Sequence, residues 1–318
     1  MDFVIGGLAA SGASIFSNPF DVVKTRMQLQ GELQARGKHQ VFYKNVFHAG
    51  WVIAKNEGIR GLQKGLGTAI LMHSVRNSTR LGIYQWLHKK EYLTNEHGKT
   101  IFYRSALASA FSGAAGAFLG SPLFLVKTQL QAQAADNISV GTQHGHKGAF
   151  AAFRSIYHKD GISGLWRGGN AVVLRAVVGS SAQLTSFAVT KDMLRDYDVF
   201  VRYPIVTSFV ASIIGGVFQC ILMNPFDLVS VRLYNQGVDQ SGRGLLYNGI
   251  FDAFIKIGKK EGLRGFYKGV TASYVRLAPH GALCLVFWDM LKDLHEKHVG
   301  KSKVTSPKYV KSENKEVR

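Results

Sequence analysis

A short motif that begins with proline occurs three times in this chain at one fixed spacing. The copies are Pro19-Phe20-Asp21-Val22-Val23-Lys24, Pro122-Leu123-Phe124-Leu125-Val126-Lys127 and Pro225-Phe226-Asp227-Leu228-Val229-Ser230, and successive prolines are 103 residues apart. A second motif follows each copy, as Glu57-Gly58 to Gln63-Lys64-Gly65, Asp160-Gly161 to Trp166-Arg167-Gly168 and Glu261-Gly262 to Tyr267-Lys268-Gly269. Self-similarity at one long period indicates a triplicated structural unit.

The charged residues divide each unit into segments of membrane-spanning character. Residues 3–20, 105–126 and 203–226 contain no Asp, Glu, Lys or Arg. The last two are long enough to cross a hydrocarbon core of about 30 Å as helices. The apolar segments near 66–90, 169–195 and 270–295 are interrupted by arginines, namely Arg76, Arg80, Arg175 and Arg276. A soluble core helix would explain any single segment, but six segments in three matched pairs predict a membrane protein.

The order of the two motifs resembles the mitochondrial carrier family over about residues 2–296, although Gln63 replaces the aromatic residue of the second motif in the first repeat. The resemblance implies an all-α membrane protein with six transmembrane helices. These would form three homologous two-helix repeats with short matrix helices, arranged as a pseudo-threefold, barrel-like bundle. The repeats would be 1–99, 100–200 and 201–296, followed by a polar tail, 297–318, that we expect to be disordered.

Within this family, the departures at Phe124 and Ser230 and the run Arg80-Leu81-Gly82-Ile83-Tyr84 resemble one branch. That branch is the oxaloacetate carrier branch, which includes solute carrier family 25 members 34 and 35. The resemblance therefore implies a carrier of carboxylates or keto acids.

Each repeat is predicted to contain a long helix, a loop, a short amphipathic helix and a second long helix. The first helices are expected near 2–30, 101–132 and 203–235, and the short helices near 44–56, 147–158 and 247–260. The segments 31–43, 133–146 and 236–246 are polar and are predicted to be loops. Gly58, Gly161 and Gly262 are expected to cap the C-termini of the short helices. The resemblance implies that the loops and short helices face the matrix and that both termini face the intermembrane space.

The formal net charge of +19 raises the question of a nucleic-acid partner. We expect none, because Lys and Arg are dispersed through loops, segment ends and the tail, which suits contact with anionic lipid. Cys220 and Cys284 lie inside apolar segments and form no close pair, so neither a metal site nor a cofactor is expected. The resemblance implies a monomer in the mitochondrial inner membrane, in contact with cardiolipin. Because Asp2 leads directly into the first apolar segment, we expect internal targeting rather than a presequence.

The proline motif carries the residues of a predicted gate. Asp21, Lys24 and Gln28 lie at i, i+3 and i+7, which is one face of a helix. Because charged side chains are unfavourable against lipid, this face should line an interior cavity. In the family, the acid of one repeat pairs with the base of the next and closes the matrix side. Carried onto this chain, Asp21 pairs with Lys127 and Asp227 pairs with Lys24, while Gln28 and Gln131 brace the pairs.

The third ion pair of this gate is missing on both sides. Its two positions are Phe124 and Ser230, and Tyr234 occupies the third glutamine position. An unpaired buried charge destabilises more than the loss of both partners. The joint loss is therefore what cyclic pairing predicts.

The resemblance also implies a second, cytoplasmic gate, formed by an aromatic-acid-x-x-base motif on the even-numbered helices. The third repeat has the full motif, Trp288-Asp289-Met290-Leu291-Lys292, whereas the first has Tyr84-Gln85-Trp86-Leu87-His88 and the second Phe187-Ala188-Val189-Thr190-Lys191. Cyclic pairing joins Asp289 to His88 and Gln85 to Lys191, and leaves Lys292 without an acid. The prediction is a weak outer network and a resting state that is open to the cytoplasm.

Two intramembrane arginines are the leading candidates for substrate contact. Arg175 and Arg276 each lie 13 residues before the equivalent gate position, which places both roughly 20 Å below that gate, near the bilayer midplane. The guanidinium fork binds carboxylates bidentately. His73 and Arg80 on the second helix are further candidates. Structural roles remain open as alternatives, with the arginines binding backbone carbonyls and His73 packing in the interior.

The predicted function is transport of small anionic metabolites by alternating access, as antiport or coupled to protons. The expected substrates are oxaloacetate, dicarboxylates, malonate or sulfate. The alternatives are a nucleotide or other solute carrier, and an uncoupler-like leak of protons or anions. A membrane adaptor without transport would not need the gate residues. An enzyme is not predicted, because no nucleophile–base set or metal-ligand cluster stands out in the sequence.

Overall fold

The computed structural model describes residues 2–34, 40–90, 92, 102–194, 197, 204–239 and 241–277, together with 283, 286–287 and 290–291. This part of the chain is almost entirely helical. The helices are α1 (Asp2–Leu29), α2 (Val46–Leu62), α3 (Leu66–Lys89), α4 (Phe102–Leu119), α5 (Ser121–Ala132), α6 (Ala149–Leu165), α7 (Gly169–Leu194), α8 (Pro204–Asn235), α9 (Ile250–Glu261) and α10 (270–277). Two 3₁₀ segments, Asp136–Ile138 and Leu263–Tyr267, and one isolated bridge between Val238 and Gly244 complete it.

The three proline-bearing helices differ in continuity. Helices α1 and α8 run through Pro19 and Pro225 without a break. In the second repeat, α4 and α5 are separate helices that meet at a bend of 60°. Pro122 lies in the first turn of α5, where its missing N–H is not needed by the helix. The predicted single helix over 101–132 is therefore wrong, because the first helix ends at Leu119 and a second begins at Ser121, immediately before Pro122.

The short helices repeat one local geometry. Gly58, Gly161 and Gly262 have φ angles of 70°, 67° and 71°, the left-handed conformation that a glycine adopts without a Cβ clash. Gly262 caps α9, whereas a further helical turn follows Gly58 in α2 and Gly161 in α6. The predicted cap is confirmed at Gly262. At Gly58 and Gly161 the helical segments extend beyond the predicted ends, because the turn after each glycine is also helical.

Each short helix buries one alanine and one isoleucine four residues apart. The pairs are Ala49 and Ile53, Ala152 and Ile156, and Ala253 and Ile257, each within its own apolar cluster. Spacing of i and i+4 places both side chains on one helix face. Three similar small cores therefore lie at the same end of the bundle. The proline-bearing helices α1, α5 and α8 each contact the other two. They therefore form a closed three-way junction.

The described surface is apolar where a soluble protein would be polar. Equivalent phenylalanines on the three short helices, Phe47, Phe150 and Phe251, are 80%, 80% and 82% exposed. Asp21, Lys24, Lys127 and Asp227, by contrast, are buried. Such inversion indicates a lipid-facing exterior around a polar interior.

By length and composition, the segment Ile213–Asn235 qualifies as a membrane span among the described residues. The bent pair Tyr103–Leu119 and Ser121–Ala132 adds a second span if the two helices are counted together. The tail 297–318 and Cys284 lie outside the described residues.

Candidate functional site

Two ion pairs join the proline-bearing helices at the centre of the junction. The Lys127 Nζ lies 2.8 Å from Asp21 Oδ2, and the Lys24 Nζ lies 2.6 Å from Asp227 Oδ2. All four side chains are almost fully buried. We call Asp21, Lys24, Lys127 and Asp227 the proline network. It links repeat 1 to repeat 2 and repeat 1 to repeat 3, which is the cyclic pairing that the sequence predicts.

The two glutamines make different contacts. Gln28 Nε2 donates to Asp227 Oδ2 at 2.8 Å and so contacts an ion pair directly. Gln131 instead donates to Asn18 Oδ1 at 3.1 Å and accepts from Thr25 Oγ1 at 3.1 Å. Gln28 is thus hydrogen-bonded to a network carboxylate, whereas Gln131 is hydrogen-bonded to polar residues of α1 that lie around the network.

The position of the missing third pair is filled by an aromatic contact. The rings of Phe124 and Tyr234 have centroids 5.4 Å apart. The Tyr234 hydroxyl lies 2.7 Å from Ser121 Oγ, in a buried hydrogen bond. The Ser230 hydroxyl bonds within its own helix instead, where it donates to the Phe226 carbonyl at 2.7 Å. The interface between repeats 2 and 3 is therefore closed without an ion pair at these positions.

The two leading arginines contact the proline network itself. Arg175 Nη1 lies 3.5 Å from Asp227 Oδ1, and Arg276 Nε lies 3.2 Å from Asp21 Oδ1. The Arg175 guanidinium also lies over the Phe124 ring, 5.0 Å from its centroid. Each network carboxylate therefore has one lysine and one arginine as counter-charges. The sequence predicted these arginines as substrate contacts near the bilayer midplane but did not predict that they would share the network carboxylates.

A small cavity of about 30 Å³ lies between these groups. Its walls come from all three repeats and include His73, Arg76, Arg175 and Arg276 beside the proline network. His73 is buried, with 2% of its surface exposed. Arg80, four residues beyond Arg76 on α3, is exposed and does not line this cavity. The cavity is the place where an anion would meet the converging guanidinium groups.

The predicted second gate is described only in part. Gln85 and His88 are exposed near the end of α3. Lys191 lies in α7, while Asp289 and Lys292 lie outside the described residues. The expected pairs between Asp289 and His88 and between Gln85 and Lys191 therefore remain predictions.

Sequence reasoning missed a ring of contacts seven residues after each proline. Each member donates from its side chain to a backbone carbonyl of the next repeat at 3.1–3.2 Å: Arg26 to Gln131, Gln129 to Tyr234 and Arg232 to Gln28. Arg26 and Arg232 also bind the acid of the second motif bidentately, at Glu57 and Glu261. The constant spacing from proline was the signal that could have identified them.

These acids also bind the lysine of the second motif. Lys64 Nζ lies 2.6 Å from Glu57, and Lys268 Nζ lies 2.6 Å from Glu261. Burial raises the pKa of Glu57, but the hydrogen bonds from Arg26 and Lys64 outweigh burial and lower it to about 2. The second motif therefore anchors the short helix to the proline-bearing helix of its own repeat.

A buried carboxyl group without such partners lies next to the third repeat. Among the described residues, neither carboxyl oxygen of Glu32 has a hydrogen-bond partner. Burial raises its pKa to about 7, because the charged form is desolvated and is offset only in part by Arg232, by the hydroxyl of Tyr247 and by Lys268, while Glu261 repels it. Glu32 is thus a site that binds a proton near neutral pH.

A larger cavity, of about 740 Å³, opens between repeats 2 and 3 at the end with the short helices. Its walls include Arg167 and Gly168 of the second motif, and Asn248 and Gly249 before α9. Backbone N–H groups at the start of a helix favour anions. In the part of the chain that the structure describes, no group of three or more His, Cys, Asp or Glu side chains forms a metal site.

Comparison with known proteins gives a consistent result over all three repeats. The family model described as "Mitochondrial carrier protein" matches three times, at residues 1–95, 98–198 and 201–299. Solute carrier family 25 member 35 of Mus musculus is 48% identical over 94% of this chain and 99% of its own length. The mitochondrial oxaloacetate transport protein of Saccharomyces cerevisiae is 39% identical over 92% of this chain and 89% of its own. The mitochondrial citrate transporter E of Aspergillus niger is 39% identical over 89% of each.

Proposed function

The chain belongs to the mitochondrial carrier family, and from this premise we propose that it carries small anionic metabolites across the membrane by alternating access. As a member of that family it is a transporter rather than an enzyme, and a multi-pass protein of the mitochondrial inner membrane. The proposed substrates are oxaloacetate, other dicarboxylates, malonate or sulfate. Relatives named for oxaloacetate and citrate transport support a carboxylate.

The observation that carries the proposal is the contact of Arg175 and Arg276 with the carboxylates of the proline network. An anion that enters the cavity competes with Asp227 for Arg175 and with Asp21 for Arg276. Each carboxylate then keeps one cation instead of two. Because each carboxylate loses one of its two attractive partners, less electrostatic energy holds the network closed when the substrate is bound. Opening towards the matrix is in this way coupled to substrate binding.

The proposed topology places six transmembrane helices around the cavity. These are α1, α3, the bent pair α4–α5, α7, α8 and the helix that begins at residue 270. The exposed phenylalanines of the short helices support contact with lipid on the matrix face. With the proline network closed, the cavity would open to the cytoplasmic side in the resting state.

Anionic lipid, such as cardiolipin, is the proposed occupant of the larger cavity between repeats 2 and 3. Arg167 and Arg243 supply positive charge there, and Gly249 precedes the first turn of α9. The transporter is proposed to act as a monomer, because the cavity and the proline network are contained within one chain.

Uptake into proteoliposomes tests the function. We expect uptake of radiolabelled malonate or oxaloacetate, and we expect Arg175→Gln and Arg276→Gln to lower kcat/KM by about 10- to 100-fold, since each removes charge-assisted hydrogen bonds of about 1.5–3 kcal/mol. Arg104→Gln, on the exposed start of α4, is the matched control. Uptake of nucleotides or cationic amino acids that is insensitive to both changes would overturn the proposal. Proton flux without exchange of substrate would instead favour the alternative function, an uncoupler-like leak of protons.

A further inference from the structure

Arg76 differs from the other arginines of the cavity in its partners. It lines the cavity together with Arg175 and Arg276. Those two are held by carboxylates at 3.5 and 3.2 Å, whereas among the described residues no carboxylate lies within 4 Å of Arg76. Arg80, Arg175 and Arg276 all repel its charge, and Asp21 is the acid that attracts it, from a distance. Arg76 is therefore the cavity arginine with an uncompensated charge.

The described lining of the cavity has more positive than negative side chains. Among the residues that the structure describes, it contains five Lys or Arg residues, which are Lys24, Arg76, Lys127, Arg175 and Arg276, and two carboxylates, Asp21 and Asp227. With His73 neutral, the excess is three positive charges. A field of this sign in a low-dielectric cavity attracts anions, and attracts polyvalent anions most strongly. The excess suits an anion with two or three negative charges.

The backbone holds Arg76 in place. Helix α4 approaches α3 so closely that a Cβ added to Gly116 would lie 2.7 Å from the Arg76 carbonyl oxygen and 3.4 Å from its Cγ. The glycine therefore permits a backbone contact at this residue. The contact fixes the backbone from which the Arg76 side chain extends into the cavity.

We propose that Arg76 is the first anion-binding residue of the transport cycle, and that it serves as the third guanidinium for a polyvalent carboxylate. This inference rests on the proposed function and adds a residue and an order of events to it. The anion binds Arg76 before Arg175 and Arg276 leave their carboxylates. A dicarboxylate then draws Arg175 and Arg276 from their carboxylates, and the third group of a tricarboxylate can keep its contact with Arg76 at the same time.

Transport kinetics and direct binding together test this role. The probes are citrate, malonate and pyruvate, which carry three, two and one carboxylates. We expect Arg76→Gln to raise KM by about 100-fold for citrate and about 10-fold for malonate, with a small effect on pyruvate and with kcat retained. Arg76→Lys restores much of the affinity because it keeps the charge. Lys89→Gln, at the exposed end of the same helix, removes one charge outside the cavity and leaves the kinetics unchanged.

The binding measurement uses the shift in unfolding temperature of the purified carrier with increasing citrate or malonate. We expect the shift to be lost in Arg76→Gln, whose unliganded protein stays folded because an uncompensated charge has been removed. Equal KM values and equal shifts in the variant and the unmodified protein would overturn the role of Arg76. Citrate binding that depends on Arg76 without any uptake would keep this role and would refute transport. An unmodified protein that neither binds nor carries these anions would refute both.

Discussion

The ring of Phe124 packs against the ring of Tyr234, with 5.4 Å between their centroids. This contact joins repeats 2 and 3, whereas the other two interfaces each have a buried Lys–Asp pair at 2.6 or 2.8 Å. Aromatic pairs contribute about 0.5–1.5 kcal/mol beyond the burial of their area. Separating a buried ion pair costs its Coulomb attraction, which is strong where the dielectric constant is low. Repeats 2 and 3 are also joined by the contact of Arg175 with Asp227, but at 3.5 Å it is longer than either Lys–Asp pair. The closed junction is therefore held unequally, and we expect the interface of repeats 2 and 3 to separate first.

Restoring the third ion pair should slow transport. Phe124→Asp combined with Ser230→Lys places an acid and a base at the two vacant positions. We expect kcat to fall severalfold, because a third pair must then be broken in every cycle. Initial rates of malonate exchange in proteoliposomes measure the effect. Phe124→Asp alone would place a carboxylate beside Arg175, whose guanidinium lies 5.0 Å from the ring centroid, and should mainly raise KM. Unchanged rates in the double variant would contradict cyclic pairing.

The carboxylates of the proline network should matter more for stability than the lysines. Asp21→Asn removes the counter-charge of both Lys127 and Arg276, whereas Lys127→Met leaves Asp21 with Arg276. Leaving a buried charge unpaired destabilises by about 3–5 kcal/mol. We therefore expect the unfolding temperature in detergent to fall more for Asp21→Asn than for Lys127→Met. Equal losses would show that Arg276 gives Asp21 no useful compensation.

Glu32 should make stability dependent on pH. Burial raises its pKa from the ordinary 4.5 to about 7 in the folded protein. The folded state therefore binds the proton more tightly than the unfolded state, and stability falls as pH rises from about 4.5 through 7. We expect Glu32→Gln to raise the unfolding temperature at pH 8 by several degrees and to change it little at pH 5. Asp252→Asn, on the exposed face of α9, is the control. A Glu32→Gln variant with the pH profile of the unmodified protein would refute the role of this carboxyl group.

Two glycines of α4 should differ in their tolerance of a methyl group. A Cβ at Gly116 would lie 2.7 Å from the backbone oxygen of Arg76, while one at Gly113 would lie 3.6 Å from Ser180 Oγ. Gly116→Ala forces α3 and α4 apart and should destabilise by about 1–3 kcal/mol, whereas Gly113→Ala should be tolerated. Because Arg76 moves with α3, Gly116→Ala should also raise KM for citrate. Thermal unfolding and uptake assays on both variants check this, and equal behaviour would be evidence against the close approach.

Much of the fold follows from the repeated motifs. The long first helices of repeats 1 and 3 and the left-handed Gly58, Gly161 and Gly262 agree with the sequence pattern. The break at Gly120 was not predicted. Pro122 occurs in the same motif as Pro19 and Pro225, and the residues before it do not show whether the helix will bend or end. Whether a helix continues through such a proline depends on its packing against other helices, and the local sequence does not determine that packing.

The candidate site was predicted in its pairs but not in its additional contacts. The family resemblance predicts Asp21 with Lys127 and Asp227 with Lys24, because in that family the acid of one repeat pairs with the base of the next. The sharing of Asp227 by Arg175 depends on the depth and tilt of α7 against α8, which the sequence does not specify. Arg80 follows the helical period from His73 but is exposed on α3 and does not line the small cavity, so its contact with substrate stays a prediction.

The ring of contacts between repeats has a consequence for how the protein is made. Gln28 binds Asp227, which lies 199 positions later in the chain, and Arg232 binds the Gln28 carbonyl, 204 positions earlier. Such distant pairings form late, because the intervening chain must first be brought together. While only two repeats have entered the bilayer, Lys24 has no carboxylate from the third. Insertion of the last repeat is therefore the step at which the bundle becomes stable, and a nascent carrier must be shielded from aggregation and proteolysis until that step.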